Sequence, residues 1–382
     1  MDGLGTETAF EVLAKAKDLE RQGREIVHLE IGEPDFDTPQ NIKEAVIKAL
    51  KGGYTHYVSA AGILELREAI AEYISESRGI DVDPDEVVVT PGGKPIIFFS
   101  ALACVEPGDE VMYPNPGFPI FESMINFVGA KPVPMPILEE KDFGLDASEV
   151  VEKITSKTKM IILNSPSNPT GGILTKDDME AIAERVVDRN DLLVLSDEMY
   201  DKVLYKGKHE SIASIPGMKE RTILLNGFSK TYAMTGWRLG YGVMRKDLAK
   251  KIAQLMINSN SCTCAFVQMA GVEALRGPQD EVKRMVEEFK RRREVIVSGL
   301  NNIKGISCKN PPATFYAFPN VKNVGMNSQR LSDFLLNDAG VAVLPGTAFG
   351  KYGEGYLRLS FANSIESINK ALDRISEAVV KL

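Results

Sequence analysis

Four short polar segments carry most of the chemistry this sequence can offer. They are Thr90-Pro91-Gly92-Gly93-Lys94, the run from Asn164 through Asn168-Pro169-Thr170-Gly171, Ser196-Asp197-Glu198-Met199-Tyr200, and Asn226-Gly227-Phe228-Ser229-Lys230 leading on to Trp237-Arg238. Between them they supply an anion-binding glycine turn, an amide, a carboxylate, a phenol, an amine and a guanidinium. Each also has a plain structural use: a Gly-Gly turn before a helix is ordinary turn chemistry, a lone Asp caps helices, and a lone Lys is solvated. Position sets them apart. Each follows an apolar run (Glu86–Thr90, Met160–Leu163, Leu192–Leu195, Thr222–Leu225) that reads as a strand buried on both faces. In open α/β sheets ligands bind beyond the carboxyl ends of the strands, so all four segments converge on one edge.

Their joint chemistry is specific. A lysine among apolar and hydroxyl neighbours is desolvated, its pKa falls, and its amine can condense with an aldehyde. A phosphorylated pyridine aldehyde would use the other groups: a glycine turn at a helix N-terminus and Arg238 for the phosphate, and Asp197 to keep the ring nitrogen protonated. That ligand is pyridoxal 5'-phosphate.

On these motifs the sequence resembles the class I aminotransferases of the fold-type I pyridoxal-phosphate enzymes, in the branch with many bacterial and archaeal aspartate aminotransferases. The similarity runs from Ile31-Gly32-Glu33-Pro34-Asp35-Phe36 to Arg358 and includes Thr235-Gly236-Trp237-Arg238-Leu239-Gly240. The resemblance implies that Lys230 forms the Schiff base and shuttles the proton, that Asp197 pairs with the pyridinium, and that Tyr200 and Asn168 bond the ring hydroxylate. It implies phosphate ligation by Arg238 with the Gly92-Gly93-Lys94 turn, a further cofactor contact from Ser229, and stacking by Phe118. Arg358 would grip the substrate α-carboxylate in the bidentate geometry that lysine cannot supply, with Gly32 and Asn168 beside it. Tyr57 would reach the phosphate of a neighbouring subunit, making a homodimer with shared active sites necessary.

The activity so implied is ping-pong transfer of an amino group from an L-amino acid to a 2-oxo acid, with aspartate the favoured donor and glutamate/2-oxoglutarate the common pair. Lys94 is left open between binding a substrate side-chain carboxylate and serving the phosphate turn. An aromatic or broad-specificity aminotransferase is the alternative, and a lyase on the same fold is another. Gly227 departs from relatives with serine three residues before the lysine, removing one hydroxyl from the phosphate site. Phe118 keeps a π-face without a polar handle. The short segment before Gly32 implies a reduced arm toward a partner.

The elements that must position these groups follow from periodicity. Strand-like runs alternating with helical stretches argue a mostly parallel sheet flanked by helices. Residues 40–280 are expected to form a large cofactor-binding domain, and 1–39 with 281–382 a smaller α+β domain. The latter contains a helix over 277–300, strand-like pieces at 314–318, 341–344 and 356–360, and a final helix from Ser364. Glu287 with Arg291 and Glu288 with Arg292 are spaced to make the 277–300 charges a self-paired, solvated face. The 382 residues carry 45 basic and 53 acidic side chains, a net charge of −8 that lacks the basic footprint of a nucleic-acid binder. The longest apolar stretch, 96–105, falls short of the about 20 residues that span a bilayer. With no secretion-type leader, a cytoplasmic location is expected. Cys104, Cys262, Cys264 and Cys308 form no zinc spacing with the three histidines and are expected to be buried thiols; no metal site is expected.

Overall fold

The structure, a computed structural model, describes Leu4, Gly5 and residues 7–382. The chain opens with α1 (Thr8–Arg21), β1 (Val27–His28), α2 (Gln40–Lys51) and α3 (Leu64–Arg78). It then alternates through β2 (Val87–Thr90), α4 (Lys94–Cys104), β3 (Glu110–Asn115), α5 (Ile120–Phe127), β4 (Lys131–Pro136), α6 (Ala147–Lys153), β5 (Thr158–Asn164), α7 (Lys176–Val186) and β6 (Leu193–Asp197). β7 (Thr222–Gly227) and β8 (Gly240–Val243) follow, then α8 (Lys246–Asn260), α9 (Ala265–Arg276) and α10 (Asp280–Asn301). The last part holds β9 (Tyr316–Ala317), α11 (Ser328–Phe334), β10 (Val341–Ala342), β11 (Leu344–Pro345), β12 (Leu357–Ser360) and α12 (Ile365–Val379).

Seven strands form the central sheet in the order β2-β8-β7-β6-β5-β3-β4, with only β8 antiparallel to its neighbours. The expected mostly parallel sheet is therefore what the chain builds, and β2, β3, β6 and β7 are buried along their whole lengths. Two strands of this sheet lay outside the sequence reading. β4 carries Pro132, Pro134 and Pro136 at alternate positions, so every missing N–H lies on the side away from β3, and such a strand is tolerated only at a sheet edge. β8 is Gly240-Tyr241-Gly242-Val243, too glycine-rich to signal a strand. The chain runs outward from β3 to β4 and returns to β5 on the other side of β3, placing a topological switch point between β3 and β5.

A second core gathers Phe289, Ile296 and Leu300 of α10, Ile368, Leu372 and Ile375 of α12, and residues of the short strands β9, β10 and β12. Val27 and Leu29 join it, because β1 pairs in parallel with β10 through Val27↔Val341 and His28↔Ala342. α12 begins where expected: the Ser364 hydroxyl accepts the Ser367 N–H at 3.1 Å.

Two expectations are corrected. On α10 Glu288 does meet Arg292 (3.0 Å), but Arg291 also turns to Glu288, and Glu287 approaches Lys290. Arg292 is buried rather than solvated: it reaches Asp35 Oδ1 at 2.6 Å and lies 4.9 Å from the Phe36 ring, tying α10 to the N-terminal segment. Among the cysteines only Cys308 is buried; Cys264 is exposed. Among the described residues no helix is long and apolar enough to cross a membrane.

Candidate active site

The carboxyl edge of the sheet opens into a cavity of about 760 Å³ lined by Gly93, Lys94, Asn164, Asp197, Tyr200, Ser229, Lys230 and Arg238, with Gly32, Phe118, Asn168 and Arg358 from adjoining segments. Asn164 and Asp197 are the last residues of β5 and β6, and Lys230 lies three residues beyond the end of β7. The edge expected from sequence is thus a physical site that brings together all but two of the expected residues. Gly92 lies behind the lining, against Arg238; Tyr57 is 88% exposed and stands outside its own chain's cavity.

Lys230 Nζ donates to the Gly32 carbonyl at 2.6 Å. Burial, and then the Arg358 cation, lower its pKa to about 8. Gly32 is required there, since a Cβ would lie 2.2 Å from the Tyr316 hydroxyl. Asn164 Oδ1 accepts the Asn168 N–H (2.9 Å), which fixes the Asn-Pro-Thr-Gly turn beside the sheet. Asn168 Oδ1 in turn accepts from Arg358 Nη1 at 3.3 Å. Tyr200 and Tyr316 share a 2.7 Å hydroxyl contact, and burial raises the pKa of both. Arg238 adopts a left-handed backbone (φ 55°) and donates to the Thr235 carbonyl at 2.8 Å. Its guanidinium is packed so closely on Gly92 that a Cβ there would meet Nη2 at 2.4 Å. Gly227 has a packing reason: it pairs with Gly240 across β7 and β8, and a Cβ would lie 3.1 Å from the Gly240 Cα.

Asp197, Arg358 and Arg238 have no counter-ion within ion-pair distance among the described residues. The Asp197 carboxylate, 5% exposed, accepts only the Met199 N–H (3.2 Å), and burial pushes its pKa up to about 7. Arg358, 4% exposed, spends its donors on Asn168 and the Glu30 carbonyl, and its Nε is left unpaired. Arg238 meets only a carbonyl. Burying unpaired charge is expensive, so Asp197 and Arg358 form an electrostatic mould for a ligand with a cationic ring nitrogen and a carboxylate, while the exposed Arg238 is open to a phosphate.

Sequence reasoning missed the roof of this cavity. Glu7, Ala9, Phe10, Leu13 and Lys17 of the N-terminal segment line it, as do His28 and Tyr316. The segment before Gly32 contributes a helix that lines its own chain's site. Only amphipathic spacing marked it, and Tyr316 sat in a strand-like run with no motif around it.

Fold and site together define a pyridoxal-phosphate-dependent enzyme of fold type I. Residues 24–375 match the family model of "Aminotransferase class I and II", and the chain belongs to that family. It is 44% identical over 358 residues to an aspartate aminotransferase of Pyrococcus horikoshii, covering 93% of this chain and 91% of that one. An aromatic-amino-acid aminotransferase of Thermococcus litoralis is 41% identical over 371 residues, with 96% and 95% covered. The crystal structure of Thermus thermophilus aspartate aminotransferase with maleate superposes with a TM-score of 0.95 at 38% identity, covering 99% of this chain and 98% of that one. The protein is a pyridoxal-phosphate-dependent transaminase.

Proposed function

We propose that the enzyme moves an amino group between L-aspartate and 2-oxoglutarate by a ping-pong mechanism, with glutamate the product of the second half. The observation that carries this reading is the convergence of Lys230, Asp197 and Arg358 on one cavity in which the two buried charges lack partners. The bound cofactor supplies an electron-withdrawing ring that makes the substrate Cα–H acidic. Asp197 would pair with the ring nitrogen and hold a proton there. Arg238, Ser229 and the Gly92-Gly93 turn at the start of α4 grip the phosphate. Phe118 would offer a ring face, and Tyr200, with Asn168, would donate to the ring oxygen.

Arg358 fixes the α-carboxylate, oriented by Asn168 and the Glu30 carbonyl, while the Gly32 backbone closes the space beside it. Lys230 Nζ, its pKa lowered to about 8, has a neutral fraction of about a tenth at pH 7 that grows to most of the population above pH 8, and that neutral amine takes the Cα proton and returns it. The Gly32 carbonyl orients that amine. Support for aspartate comes from the cation Lys94 on the cavity wall and from the relatives' names. A broader range that includes aromatic amino acids is favoured by the apolar wall of Phe10, Leu13 and Ile31.

The reading includes a homodimer. Support for it comes from Tyr57, which is exposed, lies outside its own chain's cavity and would serve a partner's phosphate site. It also includes a division into a cofactor-holding domain over 40–280 and a smaller domain from 1–39 and 281–382. Arg358→Ala tests the substrate assignment: loss of a buried charge partner worth about 2–5 kcal/mol lowers kcat/KM for aspartate by about thirtyfold to a few thousandfold. An unchanged kcat/KM would show that the α-carboxylate is held elsewhere.

A further inference from the structure

A ping-pong aminotransferase must seat two substrates in turn in one cavity, and their side chains need not carry the same charge. Glutamate brings a second carboxylate; an aromatic or aliphatic amino acid brings none. The cations lining this cavity are Lys17, Lys94, Lys230, Arg238, Arg358 and, when protonated, His28. Arg358 and Lys230 are committed to the α-carboxylate and the amine chemistry, and Arg238 is wedged on Gly92. His28 is held between Glu20 and Glu30, and Lys17 is paired with Glu20 one turn along α1. Lys94 remains, its Nζ 5.7 Å from the centre of the Phe118 ring.

Lys94 is not free. It is ion-paired with Glu7, the residue that precedes α1 and lines the same cavity. The Glu7 charge also reaches the reacting centre: against the larger effect of burial, it favours protonation of Lys230 and of Arg358. We propose that Glu7 is a specificity-determining residue that acts as an internal counter-anion on Lys94. With an uncharged side chain in the site the Glu7–Lys94 pair stays closed and presents a neutral wall. A second carboxylate displaces Glu7, takes Lys94 in its place, and leaves Glu7 to solvent at the mouth of the cavity. The exchange swaps one carboxylate for another on the same ammonium, so a half-exposed lysine serves both substrate classes at little net cost. Removal of Glu7 takes away the competitor and leaves a bare cation facing uncharged side chains. This inference rests on the aminotransferase acting on both acidic and uncharged amino acids.

The test compares the holoenzyme with its Glu7→Gln and Lys94→Met variants. Succinate, which cannot react, is titrated by calorimetry beside 3-phenylpropionate, and kcat/KM is measured for glutamate, aspartate and phenylalanine. Glu7→Gln should tighten succinate binding about tenfold, about 1.4 kcal/mol, leave 3-phenylpropionate no tighter, and shift the glutamate-to-phenylalanine ratio of kcat/KM by a similar factor. Lys94→Met should weaken succinate more than 3-phenylpropionate and lower the glutamate-to-phenylalanine ratio of kcat/KM. Equal changes for every ligand in the Glu7 variant would reduce Glu7 to a structural cap and overturn the proposal, as would looser succinate binding. A wild-type enzyme that turns over only one substrate class would instead remove the dual-substrate reading beneath it.

Discussion

Burial of Asp197 without a cation sets stability against function at a single residue. The carboxyl would release its proton near pH 3.8 in an ordinary setting and does so near pH 7 when folded. Between those values the folded state holds more protons than the unfolded chain, so the cofactor-free protein loses stability as pH rises through that window. Asp197→Asn should remove this loss and raise the Tm of the cofactor-free protein at pH 8 relative to wild type, with little gain at pH 4. It should also lower transamination by about a hundredfold or more, because an amide cannot balance a cationic ring nitrogen. Thermal melts at both pH values and initial rates check the pair; a variant that melts lower at pH 8 contradicts the assignment. Lys230→Ala is simpler: turnover falls to background while the far-ultraviolet circular dichroism stays native. Retained turnover in that variant would remove Lys230 from the chemistry.

At the scale of elements, the loop that carries Asp197 and Tyr200 is anchored from below. Arg78, at the end of α3, reaches Glu198 at 2.8 Å and Asp201 at 2.7 Å, and all three side chains are at most 3% exposed. His209 and Ser211 complete the shell around Glu198. Arg78→Ala strands two buried carboxylates and should destabilise the fold by about 3–5 kcal/mol in urea unfolding; a change under about 1 kcal/mol would show that water replaces the arginine. β8 holds the phosphate turn from the other side: a Cβ on Gly240 would lie 2.6 Å from the Gly92 carbonyl carbon and 2.7 Å from the Gly93 nitrogen. The turn therefore keeps its shape only while that strand stays bare. Motif residues such as Asp197 and Lys230 were legible in sequence because the chemistry demands a particular type directly after a buried strand. Arg78, Tyr316 and Glu7 were not, since each meets its partner across a long stretch of chain and carries no local pattern. Arg292 shows the converse. Its i,i+4 spacing to Glu288 was real, yet the decisive contact, with Asp35, is tertiary.

For the whole molecule, two cores meet at the site: the sheet's carboxyl edge supplies the amine and the acid, and the small strands supply Arg358 and Tyr316. The N-terminal stretch joins the two, since Val12, Ala16 and Ile26 pack with residues of the sheet while Val27 and Leu29 pack in the later core. A dimer with shared sites predicts complementation between inactive chains. Mixing Lys230→Ala with Tyr57→Ala should restore one intact site per hybrid; no recovery on exchange of subunits would mean that Tyr57 does not act across the interface. The central claim, amino transfer with 2-oxoglutarate as acceptor, is tested most directly with ¹⁵N-aspartate. The holoenzyme should deliver the label to glutamate, leave oxaloacetate, and give parallel double-reciprocal plots as 2-oxoglutarate is varied. Release of ¹⁵N-ammonia or carbon dioxide from aspartate, with no labelled glutamate, would contradict the account and make the protein a lyase on the same fold.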